Sequence, residues 1–536
     1  MQTETLHWID WTIIAAYIGL IAYLGKRFAE KGKSTDGYFV GSRSIPAWAI
    51  GMSVLATLIS SVTFLAYPGQ GFSGNWILLV QGLAVPVTLL TFIWFIVPLY
   101  RKFIGLSAYE YFEKRFGFFA RLYSSLGFVM MHFTKMGTVF YLLALALASM
   151  TGQNTYLIVL LVGIVTILYT WAGGIEGVIW MDVIQGLILI AGGIVSCVLL
   201  LAKAPQGPAA LLQTAWENGK MSMGPFSWDF TRLTFWVMFI NGVFYAVQKY
   251  GTDQTIVQRF LVAKTDRKAV KAALMGTLLC VPVWTLFIFI GTLLWAYYRT
   301  APGLLPAGIT GDQVFPYFIM TQIPAGLTGL IVAALFSAAM STLDSDLNCL
   351  AAVGIEDFYR RFRPDAADRD CLRLGKMIIL VCGLISVGIA CLYVRWGGEA
   401  ILGTLFGLYA VFSGGIAGIF LLAFFTVRTN RKGLNTGIAA CVLFTAYAVL
   451  TSTKFDLGGP QKQLIVDLGK FNFPHHPYMV GVYSHIVLFV VGYLASFFFK
   501  PERDIRELTF YGWRDQHRSA QAASETDSRS GMFSSE

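Results

Sequence analysis

Residues 56–72 read ATLISSVTFLAYPGQGF, with hydroxyl side chains and a Pro68-Gly69 pair set inside an apolar run that begins near Pro46. In hydrocarbon a freed carbonyl or an unpaired hydroxyl costs several kcal/mol. A break of this kind persists only where it lines a cavity. In secondary transporters that cavity holds solute and ion at the membrane midplane. The stretch therefore predicts an interrupted membrane helix, with Ser60, Ser61 and Thr63 at the break.

The rest of the chain supplies the membrane. Of its 536 residues 56% are hydrophobic and only 13% charged, and its mean hydropathy is +0.63. No ordinary soluble chain sustains such values over this length. About thirteen apolar runs of near-spanning length can be marked, at 8–25, 46–68, 75–99, 121–149, 155–172, 177–202, 233–252, 270–298, 325–356, 376–394, 399–427, 435–452 and 480–499. With the N-terminus outside and the C-terminus inside, most Lys and Arg fall on the inner side, in segments such as 26–43, 100–117, 249–271 and 359–376. The net charge of +10 then reflects topology and anionic lipid rather than nucleic-acid binding. The expected location is a cell membrane, bacterial inner or plasma membrane, crossed many times.

Other signals are quiet. The N-terminus has no basic n-region or small-residue cleavage site, so the first apolar run is expected to stay as a helix. The seven cysteines fall in expected helices or inner loops, and no external disulfide is expected. His475-His476 reads as a solvated turn among prolines rather than a metal site. Gly32-Lys33-Ser34-Thr35 fails as a phosphate loop, because Arg27 stands where the motif needs glycine. Without an ATPase module, uphill movement must draw on an ion gradient, which turns attention to buried ion ligands.

Helix 325–356 carries such ligands. Ser337, Ser341, Asp344, Ser345 and Asn348 share one face, with Thr342 and Asp346 at its flank. Na⁺ is a hard cation, and hydroxyls and carbonyls with one carboxylate satisfy it without excess buried charge. Asp182 is a second intramembrane acid, and Lys135 is a lone lysine in a long apolar run that calls for an anionic partner. Packing glue for the hydroxyls, an interfacial position for Asp182 and a protein carboxylate for Lys135 are the structural alternatives.

These residues resemble the sodium/solute symporter family, which includes the sodium-coupled glucose, proline, pantothenate and sialic acid transporters. The marks are the interrupted helix 56–72, WAGGIEGVIWMDVIQ at 171–185, YGTDQTIVQRFLVAK at 250–264, and MSTLDSDLN at 340–348 followed by DFY at 357–359. The resemblance implies an all-α LeuT-like core of two inverted five-helix repeats, here 46–202 and 233–427. Around it lie a first helix and inner loop at 1–45, an external loop at 203–232, two added helices at 428–500 and a cytoplasmic tail at 501–536. The second repeat is expected to break at Asn241-Gly242.

The resemblance places a main Na⁺ site on the carbonyls of Ala56, Ile59 and Ala338 and the hydroxyls of Ser341 and Thr342. Some members have a second Na⁺ site, and its pattern falls here on Asp182, Ser341, Asp344 and Ser345, so one or two Na⁺ ions are expected. Asp344 stands where several members carry a hydroxyl. That carboxylate tightens a second Na⁺ or carries a proton. Ser60, Ser61, Thr63, Gln81, Phe244, Tyr245 and Gln248 are candidate solute contacts. Lys135 is expected to meet a solute carboxylate, as an arginine in a similar context does in the sialic acid transporters. The expected function is thus Na⁺-coupled symport of a small organic solute by alternating access, with no organic cofactor and no enzymatic step. An anionic sugar such as sialic acid is preferred. A neutral sugar or a monocarboxylate is the alternative, and a membrane sensor or a channel is more distant.

Overall fold

The computed structural model describes residues 6–29, 34–41, 45–309, 311–396, 414–455, 463–500, 505–516 and 518–519. Most of the expected run 399–427 and of the tail 501–536 lies outside them, as do Gly32 and Lys33. In chain order come α1 (Trp8–Ala29), α2 (Thr35–Phe39), α3 (Ala47–Leu58), α4 (Ser61–Ser73), α5 (Ile77–Phe103), α6 (Tyr109–Phe116), α7 (Phe118–Thr151) and α8 (Thr155–Ala202). Then follow α9 (Pro208–Glu217), α10 (Phe235–Gly251), α11 (Gln254–Val262), α12 (Asp266–Thr300), α13 (Gly311–Gln322) and α14 (Leu327–Val353). The described chain closes with α15 (Arg360–Phe362), α16 (Asp368–Trp396), α17 (Ile416–Phe425), α18 (Arg431–Ser452) and α19 (Tyr478–Ala495).

Nine described helices are long and apolar enough to cross a bilayer, or ten when α3 and α4, bent by 58°, count as one span. The 48 residues of α8, at about 1.5 Å each, exceed twice the hydrocarbon thickness. They are divided at Gly174, whose φ of 57° only glycine adopts readily. The expected runs 155–172 and 177–202 are the two arms of that bend.

The first break sits earlier than the Pro-Gly pair suggests. Ile59 and Ser60 are extended, and the Ser60 hydroxyl caps α4 by accepting from the Val62 amide. Pro68 lies inside α4. The hydroxyl cap, not the proline, makes the interruption, because an N-cap satisfies amides that a new helix leaves bare. The second break is corrected too. α10 runs unbroken through Asn241 and Gly242 and stops at Thr252-Asp253, where the Asp253 carboxylate caps α11. Residues 254–262, grouped above with a basic inner loop, form a helix buried on every side.

Close packing holds α4 in place. A Cβ added to Gly291 of α12 would lie 2.0 Å from the Pro68 carbonyl oxygen. Gly291→Ala should therefore push α12 off α4, at a cost of about 1–3 kcal/mol. Thermal unfolding in detergent would read it as a lowered midpoint, and an unchanged midpoint would refute the close contact. Elsewhere Asp357 of the DFY stretch ties three elements together. It meets Arg121 of α7 at 2.6 Å and accepts from Ser107 and Ser125, each at 2.9 Å. In the 203–232 segment, Lys220 donates to the carbonyls of Phe72 and Gly74 at the end of α4 and lies 5.0 Å from the Trp295 ring. Burial there pushes its ammonium down to about 8.

Candidate functional site: the broken helices and their charges

The interruption of α3 leaves the carbonyls of its last turn without helical partners, and α14 packs against them. The Ser341 hydroxyl donates to the Ala56 carbonyl at 3.0 Å. Thr342 turns its hydroxyl to the Ala338 carbonyl at 3.4 Å. Ile59 is the extended residue that ends α3. Ser341 thus brings a buried hydroxyl of α14 to a carbonyl at the end of α3, and hydroxyl and carbonyl oxygens are the donors that suit Na⁺.

Beside it lies a charged cluster. The Arg259 guanidinium of α11, with its side chain fully buried, donates to Asp182 Oδ2 at 2.9 Å, to Ser53 Oγ at 2.8 Å and to Ser345 Oγ at 2.7 Å. Ser53 itself donates to Asp182 Oδ2 at 2.5 Å. Thr57 of α3 and Ser345 of α14 stand 3.1 Å apart through their hydroxyls. Asp344 accepts from the Tyr169 hydroxyl at 3.0 Å. Asp182 Oδ1 and Asp344 Oδ1 are buried with no hydrogen-bond partner among the described residues. One guanidinium and two carboxyl groups share this buried cluster, and the guanidinium is bonded to Asp182 alone of the two.

A cavity of about 280 Å³ between α1, α7, α8 and α14 is lined without a charged residue and lies apart from this chemistry. The cavity that touches the break measures about 310 Å³ and is lined by Thr57, Ser60, Lys135, Tyr245, Gln248 and Lys249 among others. Four of the expected solute contacts, Ser60, Lys135, Tyr245 and Gln248, meet there. The others do not line it. Ser61 donates to the Val139 carbonyl at 3.3 Å, Thr63 is buried within α4, and Gln81 donates to Asn241 Oδ1 at 3.0 Å. Phe244 stacks on His485 of α19 with ring centroids 5.5 Å apart.

Lys135 is already paired. Its ammonium donates to Asp346 Oδ1 at 3.1 Å, so a protein carboxylate is its partner in this state. The sequence reading did not foresee Arg259, Tyr169, His132 or the Lys249–Asp253 pair. One signal was present: Thr255 and Arg259, like Gln254 and Gln258, recur at a spacing of four, the mark of helix faces rather than of a loop.

The model of the sodium:solute symporter family matches residues 38–440. The chain belongs to that family. It is 32% identical to the sodium/sialic acid symporter NanT of Aliivibrio fischeri, over 97% of this chain and 99% of that protein. It is 31% identical to the sodium/sialic acid symporter SiaT of Proteus mirabilis, over 87% of this chain and 99% of that one. A solved structure of a Na⁺-coupled sialic acid symporter, substrate-bound and outward-open, superposes with a TM-score of 0.84 at 29% identity, covering 93% of this chain and 99% of the other. This family member is a multi-pass, Na⁺-using transporter with the LeuT-like fold expected above, and not an enzyme.

Proposed function

We propose that this symporter imports an acidic sugar of the sialic acid class by alternating access, drawing on two Na⁺ ions. The observation that carries the solute assignment is Lys135. Lys135 lines the 310 Å³ cavity beside the α3–α4 break, with Ser60, Tyr245 and Gln248 offering hydroxyl, ring and amide to the rest of a sugar. Near full-length likeness to NanT and SiaT supports the same solute class. Uptake of labelled sialic acid into proteoliposomes, with and without an inward Na⁺ gradient, tests the reading. Uptake that ignores the gradient refutes coupling.

For the ions, we assign the first Na⁺ to the carbonyls of Ala56, Ile59 and Ala338 with Ser341 and Thr342. The second goes to Asp182, Ser341, Asp344 and Ser345, where one oxygen of each carboxyl group has no hydrogen-bond partner among the described residues and a single guanidinium serves the cluster. Ser341→Ala should raise the Na⁺ concentration for half-maximal uptake roughly fivefold, as for the loss of about 1 kcal/mol. Asp344→Asn keeps shape and removes charge. It should reduce the charge moved per solute, measured as current against tracer uptake. Equal ratios in wild type and variant would leave Asp344 a structural partner of Tyr169.

A second reading has its own observation. Because Lys135 is held by Asp346 at 3.1 Å, the remaining polar wall also suits a neutral sugar. Competition of neutral against acidic sugars for uptake separates the two.

A further inference from the structure

The Lys135–Asp346 pair is lopsided. The Lys135 side chain is 27% exposed, on the wall of the solute cavity, whereas Asp346 is fully buried. The lysine has a long stem and can swing into the cavity. The carboxylate cannot take up water when the lysine leaves, and its Oδ2 has no partner among the described residues. What remains beside it is His132, three residues before Lys135 on α7 and so on the same face. His132 Nδ1 lies 2.9 Å from Asp346 Oδ1, without the alignment of a hydrogen bond. Its other ring nitrogen lies 3.5 Å from Asp253 Oδ2, a carboxylate that Lys249 already holds at 2.6 Å. His132 therefore has a claim on Asp346 that does not depend on Lys135.

We propose that Asp346 holds Lys135 while the cavity is empty and surrenders it to the carboxylate of the entering solute, with His132 staying against Asp346. Asp346 is then a positioning residue that sets how tightly an acid binds. The inference rests on the reading of Lys135 as the contact for the solute's carboxylate. Its physical basis is competition for one ammonium. A solute that needs Lys135 free binds more weakly by the fraction of time that Lys135 is free. The exchange trades the Lys135–Asp346 pair for a Lys135–solute pair and leaves Asp346 against His132 at 2.9 Å, so a neutral solute, which offers Lys135 no new partner, gains nothing from it.

The test is sialic acid binding to purified full-length protein at fixed saturating Na⁺, in a double-mutant cycle. Asp346→Asn removes the competitor and should tighten sialic acid on the order of tenfold. In a Lys135→Gln background the same change should have no effect. A merely structural role for Asp346 would move affinity alike in both backgrounds. Asp346→Asn binding no tighter than wild type, or the same gain without Lys135, overturns the proposal. If Lys135→Gln alone binds sialic acid as wild type does, the acid-contact reading falls first and this proposal with it. If Lys135→Gln weakens binding while Asp346→Asn changes nothing, only the competition is wrong. Should Asp346→Asn fail to fold, His132→Leu carries the test with opposite sign. It raises the cost of releasing Lys135 and should weaken sialic acid severalfold, and unchanged binding overturns the proposal.

Discussion

Replacing Lys135 by Gln should weaken an acidic sugar by about 2 kcal/mol or more, a loss of affinity of roughly thirtyfold, while sparing a neutral sugar. The size follows from what the variant leaves behind. A solute carboxylate drawn into the cavity exchanges its hydration for the ammonium, and without that ammonium it remains desolvated and unpaired. Part of the loss is offset in the empty protein, where Asp346 also loses Lys135 and keeps only its contact with His132 at 2.9 Å. The net effect is therefore smaller than that of an isolated buried charge. Lys135→Arg should retain binding, because a guanidinium can hold the same carboxylate with two parallel hydrogen bonds. Equilibrium binding of sialic acid and of a neutral sugar to each variant decides the matter. Wild-type affinity for sialic acid in Lys135→Gln would give the neutral-sugar reading its place.

The membrane fold and the buried polar stripe of α14 were legible in the sequence because both leave periodic traces. Apolar runs mark the spans, and the hydroxyl and acid stripe of Ser337, Ser341, Asp344, Ser345 and Asn348 falls on one face of α14, which is buried along its length. The breaks were harder to read. Proline and glycine draw the eye, yet α4 carries Pro68 in its interior and α10 carries Gly242 in its own. The breaks are made by Ser60 and Asp253, short polar side chains that cap the helix after them. Pairing across the fold left no local trace at all. Nothing in the neighbourhood of Arg259 points to Asp182, 77 residues away, or in that of Lys135 to Asp346, 211 away. Charge balance was the one available clue, since intramembrane acids and bases must meet somewhere. It says that partners exist and not which ones.

Removing the charge of Arg259 should have the largest effect on stability of any single change in the core. The guanidinium is fully buried and serves Asp182, Ser53 and Ser345 together, with a further bond to the Thr255 carbonyl at 2.5 Å. Arg259→Leu keeps much of the side-chain volume. It leaves Asp182 with Ser53 as its donor and places two uncompensated carboxylates, Asp182 and Asp344, in one buried cluster. Breaking a buried pair from one side costs about 3–5 kcal/mol. Unfolding of the purified variant should fall accordingly at low Na⁺, with K⁺ holding the ionic strength. The same deficit should make the variant lean harder on Na⁺. Each ion that binds the folded state adds stability in proportion to the logarithm of its concentration over its Kd. A cluster stripped of its fixed cation should bind Na⁺ more tightly, so raising Na⁺ should recover more stability in Arg259→Leu than in wild type. Asp182→Asn in the same background removes the surplus charge and should cancel that extra Na⁺ response. An Arg259→Leu protein as stable as wild type, with the same dependence on Na⁺, would mean that the guanidinium neither balances these carboxylates nor shares them with the ion.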